Sequence, residues 1–117
     1  PDFIQLSGED GTAMEFNARG GVGCISVTAN VAAKLCSEFQ SASLSKNNSN
    51  LLAKANEIND KLTPLHKALF IESNPSPVKY AASLLNFCSE DVRLPLVKVT
   101  DQAKKTIKSA MLYANLI

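Results

Sequence analysis

The spacing of apolar positions changes along the chain. Near the front they form short unbroken runs, Phe3-Ile4-Gln5-Leu6 and Cys24-Ile25-Ser26-Val27-Thr28. Runs this short predict strands, and the small and β-branched residues of the second predict one packed on both faces. From Val31 onward the period is helical. Val31, Leu35, Cys36 and Phe39 share one face of a helix over 31–44. Leu51, Leu52, Ala55, Ile58, Leu62, Leu65 and Leu69 keep the period through a long helix that starts near Asn50. Pro64 falls inside it and predicts a kink. Val78, Ala81, Ala82 and Leu85 predict a helix over 78–86. Ile107, Ala110, Met111 and Ala114 predict a last one over 101–114, with Lys104, Lys105 and Lys108 on its wet face.

The punctuation between these elements is specific. Asp10 is placed to cap a short helix over 12–19, and Gly20-Gly21 to end it. Asn30 is placed to cap the helix at Val31, Ser76-Pro77 to start the helix at Val78, and Thr100 to cap the last one. Ser45-Lys46-Asn47-Asn48-Ser49 is a polar joint, and 89–100 reads as irregular with Leu94-Pro95-Leu96 crossing in extended form. The first thirty residues therefore hold two strands, each followed by a helix, the unit of a parallel α/β protein. Ligands of such proteins sit at the carboxyl ends of the strands, which directs attention to Ser7–Asp10 and Ser26–Asn30.

Composition sharpens this picture in a few places. All five glycines lie at or before Gly23, so tight α/β turns give way to packed helices. At 117 residues the chain holds one modest core. Its net charge of +1, with signs interspersed, makes no case for nucleic acid or an anionic membrane. No apolar run is long enough to span a bilayer and no signal peptide is visible. Pro1-Asp2 leads into an apolar run with no initiator Met, which suggests a piece of something longer. Cys24, Cys36 and Cys88 are odd in number and unrelated in spacing, as buried free thiols in a reducing cytoplasm would be. With one histidine and no cysteine pair at ligand spacing, no metal site is expected.

Candidate chemistry is sparse. Gly21-x-Gly23 precedes a strand, whereas a dinucleotide loop needs glycines after a strand and before a helix. Glu9 and Asp10 stand on the ligand side, either as acid and base or as acids favourable to a helix start. Gly8 beside them can let a ligand approach the backbone. His66, Tyr80 and Tyr113 read as structural. All ten lysines fall on predicted helices or loops, where solvation is the default, so no amine is placed for covalent chemistry.

Several stretches together resemble one family. Gln5-Leu6-Ser7-Gly8-Glu9-Asp10 and Gly23-Cys24-Ile25-Ser26-Val27-Thr28-Ala29-Asn30-Val31-Ala32 are similar to the last two barrel strands of dihydrodipicolinate synthases. The run Leu65-His66-Lys67-Ala68-Leu69-Phe70-Ile71-Glu72-Ser73-Asn74-Pro75-Ser76-Pro77-Val78-Lys79 and the run Val92-Arg93-Leu94-Pro95-Leu96-Val97 resemble their helical tail. The departures are bland: relatives often carry proline at Ser73 and an apolar residue at Ser76. The resemblance implies the last two β/α units of a TIM (β/α)8 barrel over 1–47 and a C-terminal helical domain over 48–117. It implies a cytoplasmic, homo-oligomeric lyase of lysine and diaminopimelate biosynthesis that condenses pyruvate with L-aspartate 4-semialdehyde through a Schiff base. No metal or other cofactor is implied.

Carried over by position, the backbone of Ile25 lines the pyruvate site, and Gly8 lies close to the same pocket. The family's Schiff-base lysine, relay tyrosine and threonine, and carboxylate-binding arginine lie upstream of anything matched here, so this chain alone is expected to be inactive. Two apolar strands without neighbours leave open edges, which predicts self-association. Two rival readings remain at this point. One is another pyruvate-dependent enzyme of the N-acetylneuraminate lyase superfamily. The other is a non-catalytic helical assembly module, monomeric and without an open strand edge.

Overall fold

A computed structural model describes residues 2–45 and 47–117. Pro1, and Lys46 of the polar joint, lie outside the described residues. A 3₁₀ turn at Asp10–Thr12 leads into α1 (Ala13–Ala18), and α2 (Ala29–Ser43), α3 (Ser49–Ala68), α4 (Ser76–Leu84) and α5 (Asp101–Tyr113) follow. The two expected strands are present only as extended segments. Among the described residues they meet at a single parallel bridge, Ser7 with Cys24. Three backbone bonds hold it: Val22 N to Gln5 O at 3.1 Å, Ser7 N to Gly23 O at 2.9 Å and Ile25 N to Ser7 O at 2.8 Å. The register is that of a parallel ladder, but a ladder needs further neighbours to extend, and these segments have only each other. Nor is the second segment packed on both faces, since Ile25 is 70% exposed.

Three helices stop in the same way. Gly20 (φ 114°), Asn86 (φ 59°) and Asn115 (φ 57°) turn left-handed after α1, α4 and α5. In each case the next amide reaches back across the turn: Gly21 N to Phe16 O, Phe87 N to Ala82 O and Leu116 N to Met111 O. These are Schellman stops, and glycine and asparagine are the residues that tolerate them. Gly21 is required for space instead, because a Cβ there would lie 2.1 Å from Phe16 Cδ1 and 2.9 Å from Phe16 O.

Helix starts followed the expected residues less closely. Thr100 does cap α5, accepting from Ala103 N at 3.3 Å, and is itself held by Glu72. Asn48 caps α3 through Leu51 N at 3.1 Å. Asn30 does not cap α2, which begins at Ala29; its amide donates to Val27 O, and Ser26 Oγ accepts from Ala29 N. Ser76 caps nothing, because its hydroxyl donates to Val97 O at 2.7 Å and fastens the irregular 89–100 stretch to α4. Asp10 does not cap its own helix. Pro64 does not end α3, which continues as one helix from Ser49 to Ala68. The interruption lies in α2, at Ala32 (φ −136°, ψ 42°).

The helical stripes are buried as their period requires. Leu62, Leu65 and Leu69 of the α3 stripe and Ile107 and Met111 of α5 are at most 1% exposed. Val31, Cys36 and Phe39 of α2 join them in one continuous core cluster that runs from Ala13 to Met111. Removing such side chains from water is what orders the chain, at about 1.5–3 kcal/mol for each large one. Cys88 departs from expectation and is exposed, because it follows the stop at Asn86 into irregular chain.

Candidate functional site

The bridge places the carboxyl ends of both extended segments side by side. Ser7 and Cys24 form the bridge, and Gly8 and Ile25, one residue further along each segment, point to the opposite face. Ser7 is buried toward the helices. Gly8 and Ile25 face outward, and a Cβ on Gly8 would meet nothing within 4 Å. Nothing within this chain therefore explains the need for glycine at position 8. The open face also carries Ile4 and Leu6, exposed at 72% and 48%.

The two acids after Gly8 separate. Glu9 is exposed. Asp10 is 8% exposed, and its carboxyl group is occupied. Oδ2 accepts from Val27 N at 3.0 Å and Thr28 N at 3.1 Å, and Oδ1 accepts from Ser26 Oγ. Asp10 thus serves the amides that open α2, a whole β/α unit downstream. The pair is therefore split, and the helix-start reading of Asp10 holds for a different helix.

His66, read from the sequence as structural, is not isolated. Its Nδ1 lies 2.7 Å from Thr28 Oγ1, and Thr28 is fully buried. Burial pushes the His66 pKa down from its ordinary value, and the charges of Asp10 and Glu9 partly oppose this. His66 and Asp10 form a shared wall between two cavities. One, of 240 Å³, is lined in part by Cys24, Ser26, Cys36 and Gln40. The other, of 440 Å³, is lined in part by Glu9, Thr12, Thr63 and Lys67. Burial, and next the negative charge of Asp10, push the Cys36 thiol up to about 11. The same two causes raise Cys24. Neither is an activated nucleophile. Among the described residues no group of three or more His, Cys, Asp or Glu side chains is placed to hold a metal ion. No described helix is long and apolar enough to cross a membrane.

Residues 1–114 match the model of the dihydrodipicolinate synthetase family. The chain belongs to that family. A 4-hydroxy-tetrahydrodipicolinate synthase from Pelagibacter ubique is 60% identical over 116 residues, covering 99% of this chain and 39% of that protein. One from Parvibaculum lavamentivorans is 56% identical over 116 residues, 99% of this chain and 38% of that protein. The crystal structure of dihydrodipicolinate synthase from Thermotoga maritima superposes with a TM-score of 0.91 at 38% identity, over 99% of this chain and 38% of that one. The chain thus spans about two fifths of the length of the relatives it matches. Family membership sets aside the unrelated helical module. The solved relatives are TIM barrels.

What the residues alone missed is the brace around Asp10. An acid just after one strand, and Ser-x-Thr just after the next, were both visible. Their meeting depended on the parallel register.

Proposed function

We propose that this chain is the C-terminal part of a 4-hydroxy-tetrahydrodipicolinate synthase. That enzyme joins pyruvate to L-aspartate 4-semialdehyde in lysine and diaminopimelate biosynthesis, in the cytoplasm, as a homo-oligomer. Residues 1–47 supply the last two β/α units of the barrel and 48–117 a helical extension. The observation that carries the reading is the parallel bridge of Ser7 with Cys24, which leaves Gly8 and Ile25 exposed one residue beyond it on each segment, in a chain 60% identical to a synthase. Barrel enzymes place substrates at that end.

In this reading the backbone at Ile25 lines the pyruvate pocket, and Gly8 keeps the pocket wall free of a side chain. The lysine that forms the Schiff base comes from a segment before Gly8. There its amine and the pyruvate carbonyl lose water to form the imine. Each described lysine of the present chain is on a helix or in a loop. Borohydride with pyruvate should therefore leave this chain unmodified, and should add one pyruvate-derived group to the complete enzyme at a lysine outside it. An adduct on the isolated chain would overturn the assignment. The open face, with Ile4 72% and Ile25 70% exposed, favours association of the isolated chain at micromolar concentration, and a stable monomer in sedimentation would speak against it.

A further inference from the structure

The donors on Asp10 belong to the three residues that directly follow Ile25. Ser26 gives its hydroxyl, and Val27 and Thr28 give their amides. Asp10 itself stands two residues after Gly8. One carboxyl group therefore ties the strand end bearing Gly8 to the strand end bearing Ile25. Thr28 carries the connection further, because its hydroxyl meets His66 Nδ1 at 2.7 Å in α3. Thr28 is 0% exposed, so no water competes for that contact.

We propose that Asp10, Thr28 and His66 are positioning residues for the pyruvate pocket. Asp10 sets the strand end at Gly8 against the strand end at Ile25, and the Thr28–His66 contact fastens that end of the barrel to the helical tail. None of the three touches substrate. The proposal rests on the assignment of Gly8 and Ile25 to that pocket. The physical need is local. Ile25 ends a segment with one bridge in this chain, and the first amides of α2 have no carbonyl partner within their helix. Without the brace those amides turn to water and carry the Ile25 peptide with them. A shift of about 1 Å at such a wall lowers reaction efficiency on the order of a hundredfold.

The test uses the complete enzyme that contains this segment. Thr28→Val keeps the shape and removes the hydroxyl. It should raise KM for pyruvate about tenfold or more, short of the hundredfold expected from full displacement, while KM for aspartate semialdehyde stays within about twofold. Thr28→Ser restores the hydroxyl and should restore KM for pyruvate. His66→Asn, whose amide nitrogen can occupy the Nδ1 position, should behave like Thr28→Ser, and His66→Leu like Thr28→Val. The His66 pair carries the test if Thr28→Val does not fold. Folded Thr28→Val and His66→Leu enzymes with unchanged KM for pyruvate would overturn the proposal. So would KM values for both substrates that rise together and are not rescued by Thr28→Ser. An unsubstituted enzyme that traps no pyruvate would instead remove the pocket assignment, and the positioning roles with it.

Discussion

Removing the Asp10 carboxyl separates two acids that look alike in the sequence. Asp10→Ala leaves the amides of Val27 and Thr28 and the hydroxyl of Ser26 without their acceptor. Thr28 is fully buried, so its amide bears the full cost of an unpaired donor, about 2 kcal/mol. Val27 and Ser26 are half-buried and regain water, at about 0.5 kcal/mol each. The expected loss is therefore about 3 kcal/mol. That is a large share of the roughly 6–17 kcal/mol that holds a domain of this size folded. Glu9→Ala removes an exposed side chain and keeps the backbone carbonyl that Thr12 N uses, so it should leave stability unchanged. Urea unfolding of the two variants and the unsubstituted chain, followed by far-ultraviolet circular dichroism, reads the difference at constant m-value. A loss below about 1 kcal/mol for Asp10→Ala, or equal losses for both variants, would refute the brace.

Three further outcomes are expected. Gly21→Ala should destabilise the chain by about 1–3 kcal/mol, because its Cβ meets Phe16 Cδ1 at 2.1 Å, while Gly8→Ala should leave the isolated chain unaffected and impair only the complete enzyme; thermal melts and steady-state rates read the two effects. The single histidine gives one C2-proton NMR titration, with a midpoint below the ordinary value of about 6.5 because His66 is buried. With the folded value depressed, the unfolded chain binds more protons between the two values, so the His66 contribution is complete above about pH 6.5 and is lost as pH falls through the folded pKa. A midpoint at or above the ordinary value contradicts this, and Glu9→Gln should lower it further. In a thiol assay at mildly alkaline pH, exposed Cys88 should react first, Cys24 more slowly and Cys36 only on unfolding, since its pKa is pushed up to about 11.

Helix positions and the buried stripes were legible from the residues because they are local. A 3.6-residue period puts Leu62, Leu65 and Leu69 on one face wherever the helix packs, and Gly20 and Thr100 act within one turn of their own helices. Family resemblance was legible for the same reason, since it rests on runs of adjacent residues. Two of the cap assignments failed because a side chain had a more distant partner. Ser76 bonds Val97, and Asp10 bonds the start of α2, choices that no local rule contains.

By itself, then, the sequence determined five helical stretches, where most of them stop and which of their faces are apolar. It also placed Gly8 just after the first apolar run and Ile25 inside the second. Only the tertiary structure decided that the two segments pair at Ser7 and Cys24, that Asp10 rather than Glu9 joins their ends, and that His66 reaches Thr28 from the helical tail. The reason is range. Propensity and periodicity act over a few residues, whereas these contacts span 17 residues between Asp10 and Val27 and 38 between Thr28 and His66, and exist only once the core has closed.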